Sequence, residues 1–126
     1  MMAFPAFCAA TPDEWQWRGE RLRFTRRAVV ILADPERVGN EHVLVALARI
    51  PAGQCAPWHR HEGHEEFLYM LEGSGEFWCE GTAPRRVEHG MVNVVPPGCW
   101  HMHRASLHED LVFLWGYAPP GTQLRQ

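Results

Sequence analysis

Short apolar segments recur along the chain, and each of them ends at a glycine or a proline. The closing residues are Pro51, Gly73, Gly81, Pro96 and Pro119, and little of the sequence between them has the period of an amphipathic helix. Short strands separated by such turn signals are typical of an all-β sandwich or barrel. The pattern therefore predicts a single all-β domain, with strands near residues 41–50, 66–71, 76–79, 91–95 and 110–117.

The sequence before residue 41 is less regular. Residues 23–32 predict one or two strands, and residues 1–20 predict an N-terminal arm or an edge element. The chain contains no internal repeat and no second apolar core. We expect an arm with edge strands over residues 1–40, the barrel over residues 41–118 and a C-terminal tail over residues 119–126.

The chain has 126 residues and a formal net charge of −3, which fits one domain with one core. A mildly acidic chain lacks the clustered positive surface that nucleic acid requires, and no apolar run approaches the ~20 residues of a membrane-spanning helix. The first ten residues have no basic start, and the four cysteines form no CxxC pair. We therefore expect a cytoplasmic protein with reduced thiols that binds neither nucleic acid nor a membrane.

The composition also restricts the chemistry. All 12 basic residues are arginine, which excludes lysine-based reactions such as Schiff-base formation. Neither Ser74 nor Ser106 occupies a nucleophile elbow, whereas the chain has eight histidines. The reactive groups are therefore imidazoles and carboxylates, which are the side chains that bind transition metals.

Three histidines and one glutamate occur with the spacing of metal ligands. His59 and His61 lie two residues apart, so on a strand both point to the same side, with Cα atoms about 6.5 Å apart. Glu66 is expected in the next strand of a hairpin, where it would add an oxygen ligand from across the ladder. His101 follows a Pro-Pro-Gly turn and would come from a distant strand. The four side chains together predict a site for one metal ion.

The same residues belong to two longer patterns. The pattern G-x5-H-x-H-x4-E-x6-G is matched at Gly53, His59, His61, Glu66 and Gly73. The pattern G-x5-P-x-G-x2-H-x3-N is matched at Gly90, Pro96, Gly98 and His101, with Ala105 in place of its asparagine. With both patterns, the sequence resembles small single-domain members of the cupin family. This resemblance implies a cupin-type double-stranded β-helix, which is a jelly-roll barrel of six to eight strands, with one divalent ion held by His59, His61, Glu66 and His101.

The number of ligands bears on the metal and on the function. Four protein ligands would close a tetrahedral zinc site, but they leave two positions free on octahedral Fe²⁺, Mn²⁺, Ni²⁺ or Co²⁺. An open site favours catalysis over a purely structural ion, so we expect Fe²⁺ before the other ions. The predicted function is a non-haem metal-dependent oxygenase, similar to dioxygenases, that acts on a small chelating organic molecule. The alternatives are a redox-neutral isomerase, cyclase or lyase, and a cupin that binds a small ligand or a metal without turnover.

Two further histidines are candidate catalytic groups. His103 lies two residues after His101, so on a strand both side chains point to the same side. His103 is either a general base or a packed core residue. His64 lies two residues before Glu66, on the same side by strand alternation. It either moves protons at the site or lies on a surface loop. Glu65 points away from Glu66 by strand alternation, so it is not expected to bind the metal.

Parity also predicts which side chains face the cavity. Cys55 and Cys99 share the parity of the neighbouring histidine ligands, and they are either cavity residues or small buried hydrophobes. The alternation in later strands predicts a further set of residues that are either on the cavity wall or in the core, namely Leu68, Met70, Phe77 and Cys79.

The N-terminal region carries a concentration of positive charge. Residues 18–27 contain five arginines, which fit either a solvated edge or dimer contact, or an anchor for a carboxylate substrate. Arg49 is a second candidate for such an anchor. Trp58 and Trp100 neighbour metal ligands and are expected to pack between the sheets or at a subunit interface. The aromatic content and an N-terminal strand over residues 20–32 predict a homodimer.

Overall fold

The structure is a computed structural model that describes residues 15–120 as two antiparallel β-sheets. In this part of the chain, a short helix α1 spans Pro35–Val38 and a 3₁₀ turn spans Arg21–Arg23. The strands are β1 (Gln16–Arg18), β2 (Arg27–Ala33), β3 (Leu44–Ile50), β4 (Cys55–His59), β5 (Glu65–Glu72), β6 (Ser74–Cys79), β7 (Arg85–Glu88), β8 (Val92–Val95), β9 (His101–Ala105) and β10 (Leu111–Ala118).

One sheet has six strands in the order β1-β2-β3-β10-β5-β8, and the other has four in the order β4-β9-β6-β7. Strands β3 to β10 form the eight strands of a jelly-roll barrel, and β1 and β2 extend one sheet at its edge. The predicted all-β jelly roll is therefore confirmed. No helix among residues 15–120 is long and apolar enough to cross a membrane.

The predicted hairpin between the strands of His59 and Glu66 is wrong. Strand β4 pairs with β9, whereas β5 pairs with β10 and β8 in the other sheet. The chain crosses from one sheet to the other between His59 and Glu65. This crossing allows side chains from both sheets to meet inside the barrel.

The core lies between the two sheets and follows strand alternation. In β3, Leu44, Ala46, Ala48 and Ile50 are buried, and the residues between them are half-buried. This strand therefore has one face in the core, although its sequence is apolar on both faces. Strand β7 was not predicted, because Val87 is its only apolar residue. Val87 is fully buried all the same.

The N-terminal region differs in part from its prediction. Arg21–Arg23 is a 3₁₀ turn, so the strand expected over residues 23–32 begins only at Arg27. Strand β1 is an edge strand, while β2 is paired on one side with β1 and on the other with β3. Ala28 and Val29 are therefore paired on both sides and offer no free strand edge to a neighbouring molecule. The homodimer itself stays a prediction, and the parts of the arm and tail over residues 1–14 and 121–126 lie outside the described residues.

Candidate metal centre

The four predicted ligands meet between the two sheets. His59 ends β4 and His101 begins β9, and these two residues are register partners in the four-stranded sheet. His61 follows β4 in a loop, and Glu66 comes from β5 in the opposite sheet. One potential ligand atom from each residue lies within 4.8 Å of all the others. Residues far apart in the sequence are thus positioned to bind one metal ion.

Backbone carbonyls orient two of the imidazoles. His59 Nδ1 lies 2.7 Å from the carbonyl oxygen of Pro57, and His101 Nδ1 lies 2.9 Å from that of Cys99. A carbonyl oxygen only accepts hydrogen bonds, so each Nδ1 carries a proton and donates it. In the neutral rings, the Nε2 atoms are then left with free lone pairs. Such carbonyl contacts fix the tautomer and the ring angle of metal-binding histidines.

The ligands have the charges that a cation requires. Burial on its own raises the pKa of Glu66, but the contacts with His101 and His61 outweigh burial and lower this pKa to about 2. Burial, together with Coulomb repulsion by His101, lowers the pKa of His59 to about 4. At neutral pH the carboxylate is therefore ionised and the His59 ring is neutral, which are the forms that coordinate metals.

A contact between two buried acceptors tests whether a metal fits. His101 Nε2 lies 2.8 Å from Glu66 Oε1, yet neither atom has a hydrogen-bond partner in the described part of the chain. With a proton on Nδ1, the Nε2 lone pair of His101 and the ionised carboxylate of Glu66 need a positive charge between them, and either a second proton or a metal ion supplies it. Three imidazoles and one carboxylate are suitable donors for divalent transition metals. The residues therefore fit such an ion.

A cavity of about 230 Å³ opens beside the four ligands. Leu68 lines it as predicted, together with Val29, Ile50, Phe113 and Trp115. The other three residues expected on the wall or in the core belong to the core side. Met70 is fully buried in the core and Phe77 is buried against the His103 ring. Cys79 packs against the core at the end of β6, with its Sγ 2.8 Å from that of Cys99.

Cys55 and Cys99 do not line the cavity either. Cys99 precedes β9 and packs against the core, whereas Cys55 is displaced because strand alternation is interrupted in β4. The pairing of β4 with β9 shifts register between Ala56 and His59. On the far side of this irregularity, Ala56 is the partner of His103 and lines the cavity in the position expected for Cys55.

His103 lies on the cavity wall and is 1% exposed. Its ring packs between Phe77 and Phe113, with centroid distances of 4.6 and 5.3 Å. His103 Nε2 lies 3.2 Å from Nδ2 of Asn93, and the side-chain oxygen of Asn93 accepts a hydrogen bond from Arg85. Burial, with repulsion by His101 second, lowers the pKa of His103 to about 3, so its ring is neutral at physiological pH.

Sequence reasoning did not identify Asn93. Its signal is weak, because Asn93 is an isolated polar residue in the apolar strand β8. Only its burial and its contact with His103 reveal that it positions the imidazole.

His64 is buried behind the ligand set. Its ring stacks on Tyr117 at 4.4 Å, its Nδ1 contacts the carbonyl oxygen of Pro119, and its centroid lies 6.4 Å from that of His61. The described cavity wall does not include His64, so a role in proton transfer stays a prediction. Glu65 is exposed on the opposite side of β5 from Glu66, as strand alternation predicts.

Of the arginines considered as anchors for a carboxylate, those near the N-terminus reach the cavity and Arg49 does not. Arg18, Arg27 and Arg60 line the cavity, whereas Arg49 forms an ion pair with Asp110 at 2.8 Å and does not reach the cavity. Trp58 and Trp100 do not pack between the sheets, since they are 46% and 40% exposed. The Arg60 guanidinium lies 5.1 Å from the ring centroid of Trp100.

Comparison with known proteins places this geometry in a family. The sequence matches the Cupin domain family over residues 46–117. No curated protein matches the sequence. The structure of KdgF from Halomonas sp. has a TM-score of 0.71 and 22% identity, over 90% of this chain and 96% of that chain. This likeness concerns the fold.

Two solved structures share more of the sequence. A predicted oxalate decarboxylase from Thermotoga maritima has a TM-score of 0.67 and 28% identity, over 74% of this chain and 80% of that chain. A DMSP lyase from Ruegeria pomeroyi has a TM-score of 0.67 and 26% identity, over 82% of this chain. The match spans 56% of the lyase.

Proposed function

The chain belongs to the cupin family, and we propose from this premise that it is a metal-dependent enzyme that cleaves or rearranges a small chelating organic substrate without net oxidation. It would be a lyase or an isomerase. The proposal rests on the position of His103, a buried imidazole on the wall of the same cavity as the four ligands. A group that moves a proton beside a metal centre is what a redox-neutral lyase or isomerase requires.

The metal would be held by His59, His61, Glu66 and His101. When bound, a divalent ion polarises a substrate oxygen as a Lewis acid. Fe²⁺ is the ion we favour, and Mn²⁺, Ni²⁺, Co²⁺ and Zn²⁺ are the alternatives.

The chain's own residues would supply the remaining functions. Asn93 holds the His103 ring in place, because its Nδ2 donates to His103 Nε2. The neutral ring then carries its proton on Nδ1, and His103 would give this proton to the substrate and take it back. Leu68 and Trp115 line the cavity and exclude water from the reacting atoms. The names of two neighbours above 25% identity, a predicted oxalate decarboxylase and a DMSP lyase, agree with a reaction of this class.

Oxygenase chemistry is the second candidate, and the apolar part of the cavity wall favours it. Val29, Ile50 and Phe113 lie on the same wall as the ligands. Exclusion of water also protects oxidation reactions from side reactions. The two candidates differ in whether the reaction consumes dioxygen.

Turnover with and without dioxygen separates the candidates. The metal-loaded protein is incubated with a panel of small hydroxy acids, keto acids and enols, in air and under argon, and products are identified by NMR. We expect products under argon and no uptake of dioxygen at an oxygen electrode. Stoichiometric uptake of dioxygen would replace the proposal by the oxygenase, and an inert panel in both atmospheres would favour a binding protein without turnover.

Substitution of His103 tests the proton-transfer role. The variant His103→Gln lies outside the four-ligand set, so we expect its metal content to be unchanged and its turnover to fall by about 100- to 10,000-fold. The matched control is His108→Gln, because His108 is exposed and outside the cavity wall. An unchanged rate in His103→Gln would remove this residue from the reaction.

A further inference from the structure

Positive charge is concentrated on the wall of the metal cavity. Arg18 ends β1 and Arg27 begins β2, and these two residues are register partners at the edge of the six-stranded sheet. Both line the cavity, and Arg60 joins them from the loop between His59 and His61. Two strands therefore bring a pair of guanidinium groups to the same opening as the ligand set.

The carboxylate on this wall already interacts with other side chains of the cavity. Glu66 is the only carboxylate among the described lining residues, and it contacts His61 and His101. Arg60 forms an ion pair with Glu62 at 3.0 Å. Among residues 15–120, no carboxylate lies within ion-pair distance of Arg27, whose Nη1 donates to the carbonyl oxygen of Thr25 at 2.8 Å. Arg27 therefore lines the cavity without a carboxylate partner among these residues.

The environment of Arg27 is unfavourable for a cation without an anionic partner. Partial burial removes water from its guanidinium, and repulsion by the neighbouring Arg18 acts in the same direction, so both lower the pKa of Arg27. A divalent metal in the same cavity would increase this repulsion. An anion placed between the guanidinium groups would relieve it.

We propose that Arg18 and Arg27 form an anion-binding subsite that holds a carboxylate of the substrate while the oxygen atoms at the substrate's other end face the metal ligands. This inference rests on the proposed function, because it names the substrate class of the same centre. The substrate is then a small organic acid that carries a carboxylate in addition to its chelating oxygens. Planar guanidinium groups match the geometry of carboxylates and can bind them in a bidentate manner.

The size of the cavity limits the substrate. Its volume of about 230 Å³ lies below the ~300–1,000 Å³ of pockets that enclose drug-sized ligands. The cavity therefore suits a single small acid and does not suit an oligomer or a nucleotide cofactor.

Two chelating probes separate the carboxylate from the metal-binding group. Acetohydroxamate chelates through two oxygens, and succinic monohydroxamate has the same chelating group plus a carboxylate. Both are titrated into the Co²⁺-loaded protein, and the visible spectrum is recorded. In the wild type we expect the carboxylate probe to bind more tightly by about 10- to 100-fold, as for hydrogen bonds to a charged group. In Arg27→Gln we expect this advantage to disappear, while the affinity for acetohydroxamate stays within about 2-fold.

Matched variants control for net charge and for folding. Arg21→Gln removes the same charge from an exposed residue outside the described cavity wall, so it should keep the full advantage of the carboxylate probe. Arg18→Gln changes the short edge strand and should reduce the advantage as Arg27→Gln does, which keeps the test decisive if one variant fails to fold. Circular dichroism checks the fold of each variant.

The outcomes distinguish this inference from the proposed function. If acetohydroxamate binds and the added carboxylate gives no advantage in the wild type, or if the advantage persists in Arg27→Gln and Arg18→Gln, the subsite is wrong and the metal centre stands. If neither hydroxamate alters the Co²⁺ spectrum, the metal has no open position, and both the inference and the proposed function are overturned.

Discussion

His101 and Glu66 meet between the two sheets in a contact that a metal ion would stabilise. The imidazole donates its Nδ1 proton to the carbonyl oxygen of Cys99, so Nε2, at 2.8 Å from the Glu66 oxygen, is left to take up a proton or a metal ion. The two residues belong to different sheets, and the packing of the sheets brings them together. The arrangement therefore favours metal binding even before a substrate is considered.

Truncation of a single residue tests whether the four side chains bind a metal. His101→Ala removes one metal–ligand bond, and we expect metal affinity to fall by at least about 10-fold, since even indirect partners of metal ligands contribute that much. Glu66→Ala should behave alike, whereas Glu65→Ala, its exposed neighbour, should keep the wild-type metal content. Elemental analysis of the purified variants measures the effect. Full occupancy in His101→Ala would contradict the site.

At the scale of elements, the turn between β5 and β6 places a backbone where no side chain fits. Gly73 has a φ of +82°, and a Cβ added there would lie 1.8 Å from the carbonyl oxygen of Asp110. Asp110 is itself fixed by Arg49 and by the backbone N–H of Ala52, so it cannot move away easily. This close approach joins β5, β6 and the start of β10, which together support Glu66.

A comparison of Gly73 with Gly81, a second glycine of positive φ, separates the cost of the steric clash from the cost of the backbone conformation. Gly81 has a φ of +80° but nothing within 4 Å of an added Cβ. Gly81→Ala should therefore cost about 1–2 kcal/mol of unfolding free energy, the strain of a left-handed residue alone. Gly73→Ala should cost on the order of 3 kcal/mol or more, because steric overlap adds to that strain. Urea denaturation measures both, and equal costs would show that the turn tolerates a side chain.

For the whole molecule, the core is larger than the metal site. Buried apolar side chains from both sheets pack together independently of the four ligands, among them Leu44, Ile50, Met70, Leu111 and Phe113. Such a core stabilises the fold without an ion. We therefore expect a metal-free protein that still unfolds cooperatively.

Chelation tests this expectation. Removal of an ion present at about 100 to 1,000 times its dissociation constant costs roughly 3–4 kcal/mol, which corresponds to a fall in Tm on the order of 10 °C. Thermal unfolding followed by circular dichroism, before and after dialysis against a chelator, measures the shift. If the dialysed protein shows no cooperative transition, the ion is structural, and the core does not suffice.

Local sequence patterns predicted the family, the strand-rich fold and the four residues that are positioned to bind a metal. The spacings around His59, His61 and His101 are local, and turn residues and strand alternation act over a few residues, so they can be read along the chain. The same alternation separated Glu65 from Glu66 correctly. Strand alternation gave the wrong side for Cys55, because the register shift in β4 places Ala56 on the cavity wall instead.

Local patterns did not predict which sheet each strand joins or which side chains share the cavity. The expected hairpin of β4 and β5 is replaced by a crossing between sheets, and Arg27, rather than Arg49, reaches the cavity. Asn93 meets His103 in the same way, from a strand in the other sheet. These contacts depend on long-range pairing and on the packing of two sheets, which bring together residues whose separation along the chain carries no periodic signal.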